Sequence, residues 1–379
     1  MEIESWRIRL NLYNRLCDIP QETISSSSRT HSLQIIHTMS KLLVIVGITG
    51  NQGGSVADAF LRDKSWHIRA ITRDPSKASA QEWASKGVEL VQGDMDDIPS
   101  LTHAFAGATA IFAMTDYWYP LFDPQVRAEA TRKNMIPNQL CAEIEMTRGK
   151  NLALAVAAPE VQKTLQRYIY SSLPNCTKLS HGKYTKMWHF DSKAAVEDWI
   201  THDTAMQTSG LSAKASFIHV GLYMDNWKRG PLELRKDPES GGYCHIDITD
   251  GRSPAPFVYT RRDTGPLVKA LVEDLEPGTV LAAVSHMASY REFMGTWARV
   301  TERTLAGDEG IEQVSVEEAR AEIPGDEHFK DHILECYLMF RDFGYYSGDG
   351  KVLMPRDVGM QDKMRLEEYF KREDWSALE

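Results

Sequence analysis

No stretch of the 379-residue chain approaches the ~20 consecutive apolar residues that a membrane-spanning helix needs, and the first residues lack the apolar segment of a secretory signal. Membrane insertion is therefore not expected. Cysteine is scarce: five residues, at 17, 141, 176, 244 and 336, an odd number without metal-like spacing, which predicts free thiols in a reducing compartment, the cytoplasm, and no metal site. Concentrated Lys/Arg runs are missing too, and with a formal net charge of -10 the chain carries no electrostatic footprint for direct nucleic-acid binding. There is no internal repeat. What remains is a chain of 42% hydrophobic composition, long enough for one large domain or a nucleotide-binding domain with a smaller companion.

The most informative segment is Leu42-Leu43-Val44-Ile45-Val46-Gly47-Ile48-Thr49-Gly50-Asn51-Gln52-Gly53-Gly54, a buried apolar strand running into a glycine-rich turn and then a helix. Gly47 and Gly50 permit a tight turn and Gly53 permits backbone to approach backbone, so the helix points its N-terminal amides and positive dipole end at a pyrophosphate. A second strand, His67 to Arg73, follows at the spacing of one βαβ unit. It ends without the carboxylate that would bind a ribose 2′-hydroxyl. Arg73 stands there, with Lys77 nearby, and a guanidinium forks onto a 2′-phosphate, so the pair predicts NADP(H) rather than NAD(H).

Strand and helix patterns keep alternating, with further strands at 88–92, 108–115, 167–172 and 215–220. The alternation predicts an α/β fold, a Rossmann-type doubly wound parallel sheet over residues 39–221, with Asp94, Thr115 to Tyr117, and Ser171 with Ser172 at strand ends along one crevice. Between Tyr117 and Glu145 a Pro-punctuated segment reads as a lid or binding loop. Beyond about 222 the rhythm breaks at Pro231, Pro238, Gly241, Gly242, Pro254 and Pro256, and a smaller substrate-binding region, 222–379, is expected. Its amphipathic helices, near 290–305 and 329–343, are too dispersed to form a large core of their own; they are expected to pack on the sheet edge and close a pocket. Residues 1–38, with the run Ser25-Ser26-Ser27-Ser28, read as a loosely ordered extension ahead of a natural start at Met39. Arg7, Arg9 and Arg15 would suit a transit peptide, but Glu2, Glu4, Asp18 and Glu22 would not.

Taken in order, the glycine-rich turn, Thr72-Arg73-Asp74-Pro75, Gln92-Gly93-Asp94, Thr115-Asp116-Tyr117-Trp118, His189-Phe190-Asp191-Ser192-Lys193 and Tyr223-Met224-Asp225-Asn226 resemble the NmrA-like family of atypical short-chain dehydrogenases, which includes NADPH-sensing and reductase-type members. The resemblance covers nearly everything after Met39. It implies that Gly47, Ile48, Thr49, Gly50, Asn51 and Gln52 hold the pyrophosphate, and that Arg73, Asp74, Pro75, Ser76 and Lys77 surround the adenosine phosphate. Asp94 and Met95 would flank the adenine, and Thr115, Asp116 and Tyr117 would lie along ribose and phosphate. Lys193 with Tyr223, Met224, Asp225 and Asn226 would approach the nicotinamide. A lysine common in the family shortly before Arg148-Gly149-Lys150 is replaced here by Thr147.

One absence bears directly on chemistry. Short-chain dehydrogenases that reduce carbonyls use a Tyr-x-x-x-Lys pair, in which the ammonium one helical turn away lowers the phenol's pKa. None of the 14 tyrosines has a lysine four residues later, and His189 with Lys193 occupies the equivalent place. Two assignments stand: His189 as proton donor, Lys193 as cofactor clamp and Ser171 or Ser172 as substrate partner, or His189 as a packing residue beside a ribose-binding Lys193. Two functions correspond to them. One is an NADP(H)-dependent oxidoreductase acting on a small, partly apolar natural product of secondary metabolism; the other is a non-catalytic NADP(H) sensor acting through a protein partner. The aromatics Tyr337, Phe340, Phe343, Tyr345 and Tyr346 suit a small-ligand pocket, though such spacing is also that of core.

Overall fold

The computed structural model describes residues 40–228, 234–346, 350–360 and 365–378. The extension read over 1–38 lies outside these residues. The six expected strands are present as β1 (Lys41–Val46), β2 (Trp66–Thr72), β3 (Glu89–Gln92), β4 (Ala110–Ala113), β5 (Arg167–Ser172) and β6 (Ala215–Val220). They are followed by β7 (Leu222–Tyr223), β8 (Arg235–Lys236), β9 (Tyr243–Asp247), β10 (Pro254–Val258), β11 (Val280–Ala283), β12 (His286–Ser289), β13 (Ile311–Gln313) and β14 (Val352–Leu353).

Eight strands form one parallel sheet in the order β3-β2-β1-β4-β5-β6-β11-β14. Both faces are covered, which is why its central strands read as unbroken apolar runs rather than alternating ones. Leu43 and Ile45 of β1 face the helices Asn51–Phe60 and Thr260–Glu273 through Val56, Phe60, Leu267 and Leu271. Val44 and Val46 face the opposite layer, where Leu101, Phe105, Leu152, Val156, Val196 and Ile200 project from three further helices. Each such fully buried aliphatic or phenyl side chain contributes about 1.5–3 kcal/mol relative to exposure, so the sandwich is held from both sides. The strand order reverses at β1, between β2 and β4, and this switch point opens the crevice at the strands' C-terminal ends.

The sheet does not stop at residue 221. Helix Thr260–Glu273 packs beside Asn51–Phe60, and β11 and β14 extend the parallel sheet beyond β6, so chain from after 221 completes the nucleotide-binding layer. The other late elements form two three-stranded sheets, β12-β10-β7 and β13-β9-β8, with helices Tyr290–Thr301 and Leu366–Arg372. Contrary to the sequence expectation, they enclose a core of their own: Trp227, Phe257, Phe293, Trp297, Phe370 and Trp375 are buried together. The reason is that these aromatics come from elements far apart in sequence, and the helical periodicity of any one element does not reveal their meeting.

Candidate active site

The pyrophosphate turn is built as the glycines require. Gly47 takes φ +80°, and its carbonyl accepts the Gly50 amide at 3.0 Å. Helix Asn51–Phe60 starts from Gly50 without a side-chain cap, so its first-turn amides are presented to the crevice by backbone geometry alone. A Cβ added at Gly53 would stand 2.3 Å from the Gly47 oxygen, and only glycine lets the helix sit this close to the turn. Ile48 turns its side chain into the core below, leaving only its backbone toward the crevice, while Thr49 and Asn51 are exposed.

At the end of β2, Arg73 is exposed and its guanidinium stands over the Tyr119 ring, 5.8 Å from the centroid. The neighbouring carboxylate does not compete for it. Asp74 accepts the Ser76 amide at 2.9 Å and the Ser76 hydroxyl at 2.6 Å, and these bonds hold it below the usual carboxylate range. The Pro75 carbonyl accepts Gln81 Nε2 at 2.7 Å, closing the turn that leaves Lys77 exposed beside Arg73. At the end of β3, Asp94 accepts the Asp96 amide and the Met95 carbonyl accepts Asn151 Nδ2, each at 2.9 Å. Thr147, in the place of the family's lysine, spends its hydroxyl on the Glu143 carbonyl of its own helix.

Deeper in the crevice, Lys193 is held by a residue that sequence reading did not single out. Glu145, fully buried on helix Pro137–Ala157, binds Lys193 Nζ and Ser192 Oγ and accepts Thr115 Oγ1 at 2.8 Å; Thr115 in turn lies 3.2 Å from the Tyr170 hydroxyl. A second chain ties β5 to the turn. Ser171 Oγ donates to Gln52 Oε1 at 2.6 Å, and Gln52 Nε2 donates to the Tyr223 hydroxyl at 2.8 Å. Asn51 Nδ2 reaches Asp225 at 3.4 Å. Met224, by contrast, is buried in the aromatic core of the late region and points away from the crevice, while Asn226 borders it.

His189 has a partner that orients its ring. Its Nδ1 lies 2.6 Å from Nε2 of His332, on helix Glu327–Phe343, and a gap of that length holds one hydrogen, so one imidazole donates and the other accepts. Asn138 Nδ2 borders His332 Nδ1 at 3.5 Å, and Tyr117 and Trp188 stack on the same ring. Burial, His332 and the Lys193 ammonium push His189 well below the ordinary imidazole range, and burial brings His332 down to about 3. Both rings are therefore neutral near pH 7. Of the two assignments left open for His189, this burial speaks for the packing residue beside Lys193, because a neutral imidazole can donate a hydrogen bond but is a poor acid. The Cys336 thiol completes a cluster in which one potential ligand atom from each of the three residues lies within 4.8 Å of the others, and it donates to the His332 carbonyl at 3.2 Å.

The two depressed imidazoles set an acid limit on stability. Unfolded, each titrates near 6.5; folded, both resist protonation, so below that pH the unfolded state binds more protons and stability falls as pH drops. The slope is at most about 1.4 kcal/mol per pH unit for each ring. Urea midpoints from pH 7.5 to 5 are expected to decline in the wild type and to decline less in His332→Gln; parallel curves would refute the assignment.

Thr115, Ser171, Ser172, His189 and Lys193 all border one cavity of about 600 Å³ at the strands' C-terminal ends. Its far wall is helix Glu327–Phe343, through Phe329, Ile333, Cys336, Tyr337 and Phe340, joined by Tyr345. Of the late aromatics anticipated for a pocket, Phe343 instead packs on His181 and Tyr184, and Tyr346 donates to the His219 carbonyl. The segment read as a lid is largely helical, over Trp118–Phe122, Pro124–Arg132 and Pro137–Ala157, and Trp118 and Phe122 border the cavity. Glu145 could have been found from spacing, since it falls on the face defined by Cys141, Ala142, Gly149 and Leu152, where a lone carboxylate on a buried stripe demands a partner. Among the described residues no helix is long and apolar enough to cross a membrane.

The model of the NmrA-like family matches residues 39–375. Among curated proteins, the chain is 26% identical over 275 residues to the NmrA-like family domain-containing oxidoreductase hkm9 of Aspergillus hancockii, covering 69% of this chain and 73% of that one. It is 28% identical over 274 residues to the similarly named ptmS of Penicillium ochrochloron, with the same coverage. Among solved structures, NmrA, a negative transcriptional regulator in complex with NADP, superposes with a TM-score of 0.65 at 20% identity, over 88% of this chain and 95% of that one.

Proposed function

For a chain that belongs to the NmrA-like family, we propose an NADP(H)-dependent oxidoreductase that acts on a small, partly apolar organic substrate. The observation that carries this reading is the cavity of about 600 Å³ between the Lys193 side of the crevice and helix Glu327–Phe343, which offers room for a second molecule beside the nicotinamide end. A cofactor sensor needs no such room. The residues fit the dinucleotide: the uncapped helix start and the Gly53 approach leave space for a pyrophosphate, and the exposed Arg73 beside Lys77 suits a 2′-phosphate. The curated fungal relatives called oxidoreductases and the NADP complex of NmrA support the same direction, and fungal relatives of this kind favour a natural-product substrate of secondary metabolism.

Bound NADPH supplies the hydride. The chain's own residues do the rest: Lys193, fixed by Glu145, donates toward the ribose; Gln52, fixed by Ser171 and Tyr223, holds the turn against β5; the aromatic wall excludes water and orients the substrate. Single-turnover mixing of NADPH-loaded protein with imines, enones and aldehydes tests the reading, followed by loss of reduced-nicotinamide absorbance. Consumption of NADPH by at least one class is expected. If no class consumes it, while NADPH and NADP⁺ differ in their effect on binding to a protein partner, the sensor reading replaces this one.

A further inference from the structure

The cavity is unusual in what its wall cannot do. Lys193 is engaged by Glu145, the Ser171 hydroxyl by Gln52, and the His189 Nδ1 by His332. The Tyr117 hydroxyl donates to the Asn138 carbonyl at 3.2 Å and the Tyr345 hydroxyl to the Val220 carbonyl at 2.7 Å. Burial, to which the Asp225 and Asp116 carboxylates add, pushes the Tyr223 phenol up to about 12, and its hydroxyl accepts Gln52 Nε2 at 2.8 Å. Tyr290 is likewise pushed up by burial. Reduction of a neutral carbonyl requires a proton as well as a hydride, and the hydroxyls of Ser171, Tyr117 and Tyr345 donate theirs to protein oxygens.

The same wall suits a positive charge. Aromatic rings dominate it, among them Trp118, Phe190, Phe340 and Tyr345, whose faces attract cations when water is excluded. Its single lysine is paired with Glu145, and Asp116, whose carboxylate accepts the Trp118 amide at 2.9 Å and the Tyr119 amide at 3.2 Å, adds a negative charge to the lining. Resting on the oxidoreductase reading, we propose that the substrate is an organic cation, a planar iminium whose nitrogen carries no hydrogen, and that it is reduced without a proton from any side chain. The hydride leaves the dihydronicotinamide ring and bonds to the iminium carbon, while the C=N π pair moves onto nitrogen and cancels its charge. NADPH is oxidised to NADP⁺, the iminium is reduced to a tertiary amine, and no proton enters or leaves.

The full chain is tested with an N-methyl dihydroisoquinolinium salt and with tetralone, a neutral ketone of the same bicyclic skeleton. Dissociation constants are measured by tryptophan fluorescence in the presence of the tetrahydro analogue of NADPH, which cannot transfer hydride, and turnover is measured separately with NADPH. The cation is expected to bind at least about tenfold more tightly than the ketone, and Trp118→Ala should weaken the cation more than the ketone. Tighter or equal binding of the ketone, or its reduction at a comparable rate, overturns the proposal. If the protein binds NADPH and reduces the ketone in preference, only this inference falls; if it binds no NADPH, the oxidoreductase reading falls with it. Where NADPH binds but neither probe turns over, the ratio of the two dissociation constants decides.

Discussion

Glu145→Ala is expected to destabilise the protein by about 3–5 kcal/mol, the cost of stripping the partner from a buried ammonium. Glu145 is fully buried and Lys193 nearly so, and the carboxylate also satisfies Ser192 Oγ and Thr115 Oγ1, so the truncation strands three donors at once. Glu145→Gln keeps an acceptor in place and should lose less. The paired replacement Glu145→Leu with Lys193→Met separates stability from function. Removing both charges in favour of apolar groups of similar size is often neutral, so the fold should recover while NADPH affinity does not. Urea denaturation gives the first quantity and nicotinamide fluorescence the second. A single-variant loss below about 0.5 kcal/mol, the range of ordinary surface substitutions, would show that water reaches Lys193 and that Glu145 does not fix it.

How much of this could be read from the chain depends on the range over which each feature is specified. The doubly wound sheet is written locally: short unbroken apolar runs such as Leu42 to Val46 and Ala110 to Ala113, bounded by turn residues, read as strands covered on both faces, and the glycines after Val46 mark the first crossover. The turn residues at Gly47, Gly53 and Arg73 are equally local, because their roles follow from position at strand ends. The electrostatics around them are not. His189 looks like a protonatable histidine in sequence, and only the arrival of His332, 143 residues later and 2.6 Å away, turns it into half of a buried neutral pair. Lys193 looks like a free clamp until Glu145 is folded against it from another helix. The late region was underestimated for a related reason: Trp227, Phe293 and Trp375 belong to different elements, and their common core exists only in three dimensions.

Arg73→Ala is expected to weaken NADPH on the order of 10–100-fold while leaving NADH nearly unchanged, since one charge-assisted contact to the 2′-phosphate is worth about 1.5–3 kcal/mol. The geometry favours the upper part of that range. The guanidinium is already placed over the Tyr119 ring, and Asp74 turns its carboxylate into the Ser76 turn rather than toward the arginine, so little has to be rearranged or broken before a phosphate can be grasped. Tyr119→Ala, which removes only this preorganisation, should cost less than the loss of Arg73 itself, and Lys77→Ala should act in the same direction more weakly because a flexible ammonium is a point charge rather than a fork. Dissociation constants of both cofactors for the wild type and the three variants check the order, and repeating them at higher salt separates the contributions, since an exposed site is screened strongly at a Debye length of about 8 Å. Equal affinity of the wild type for NADPH and NADH would remove Arg73 from cofactor selection altogether.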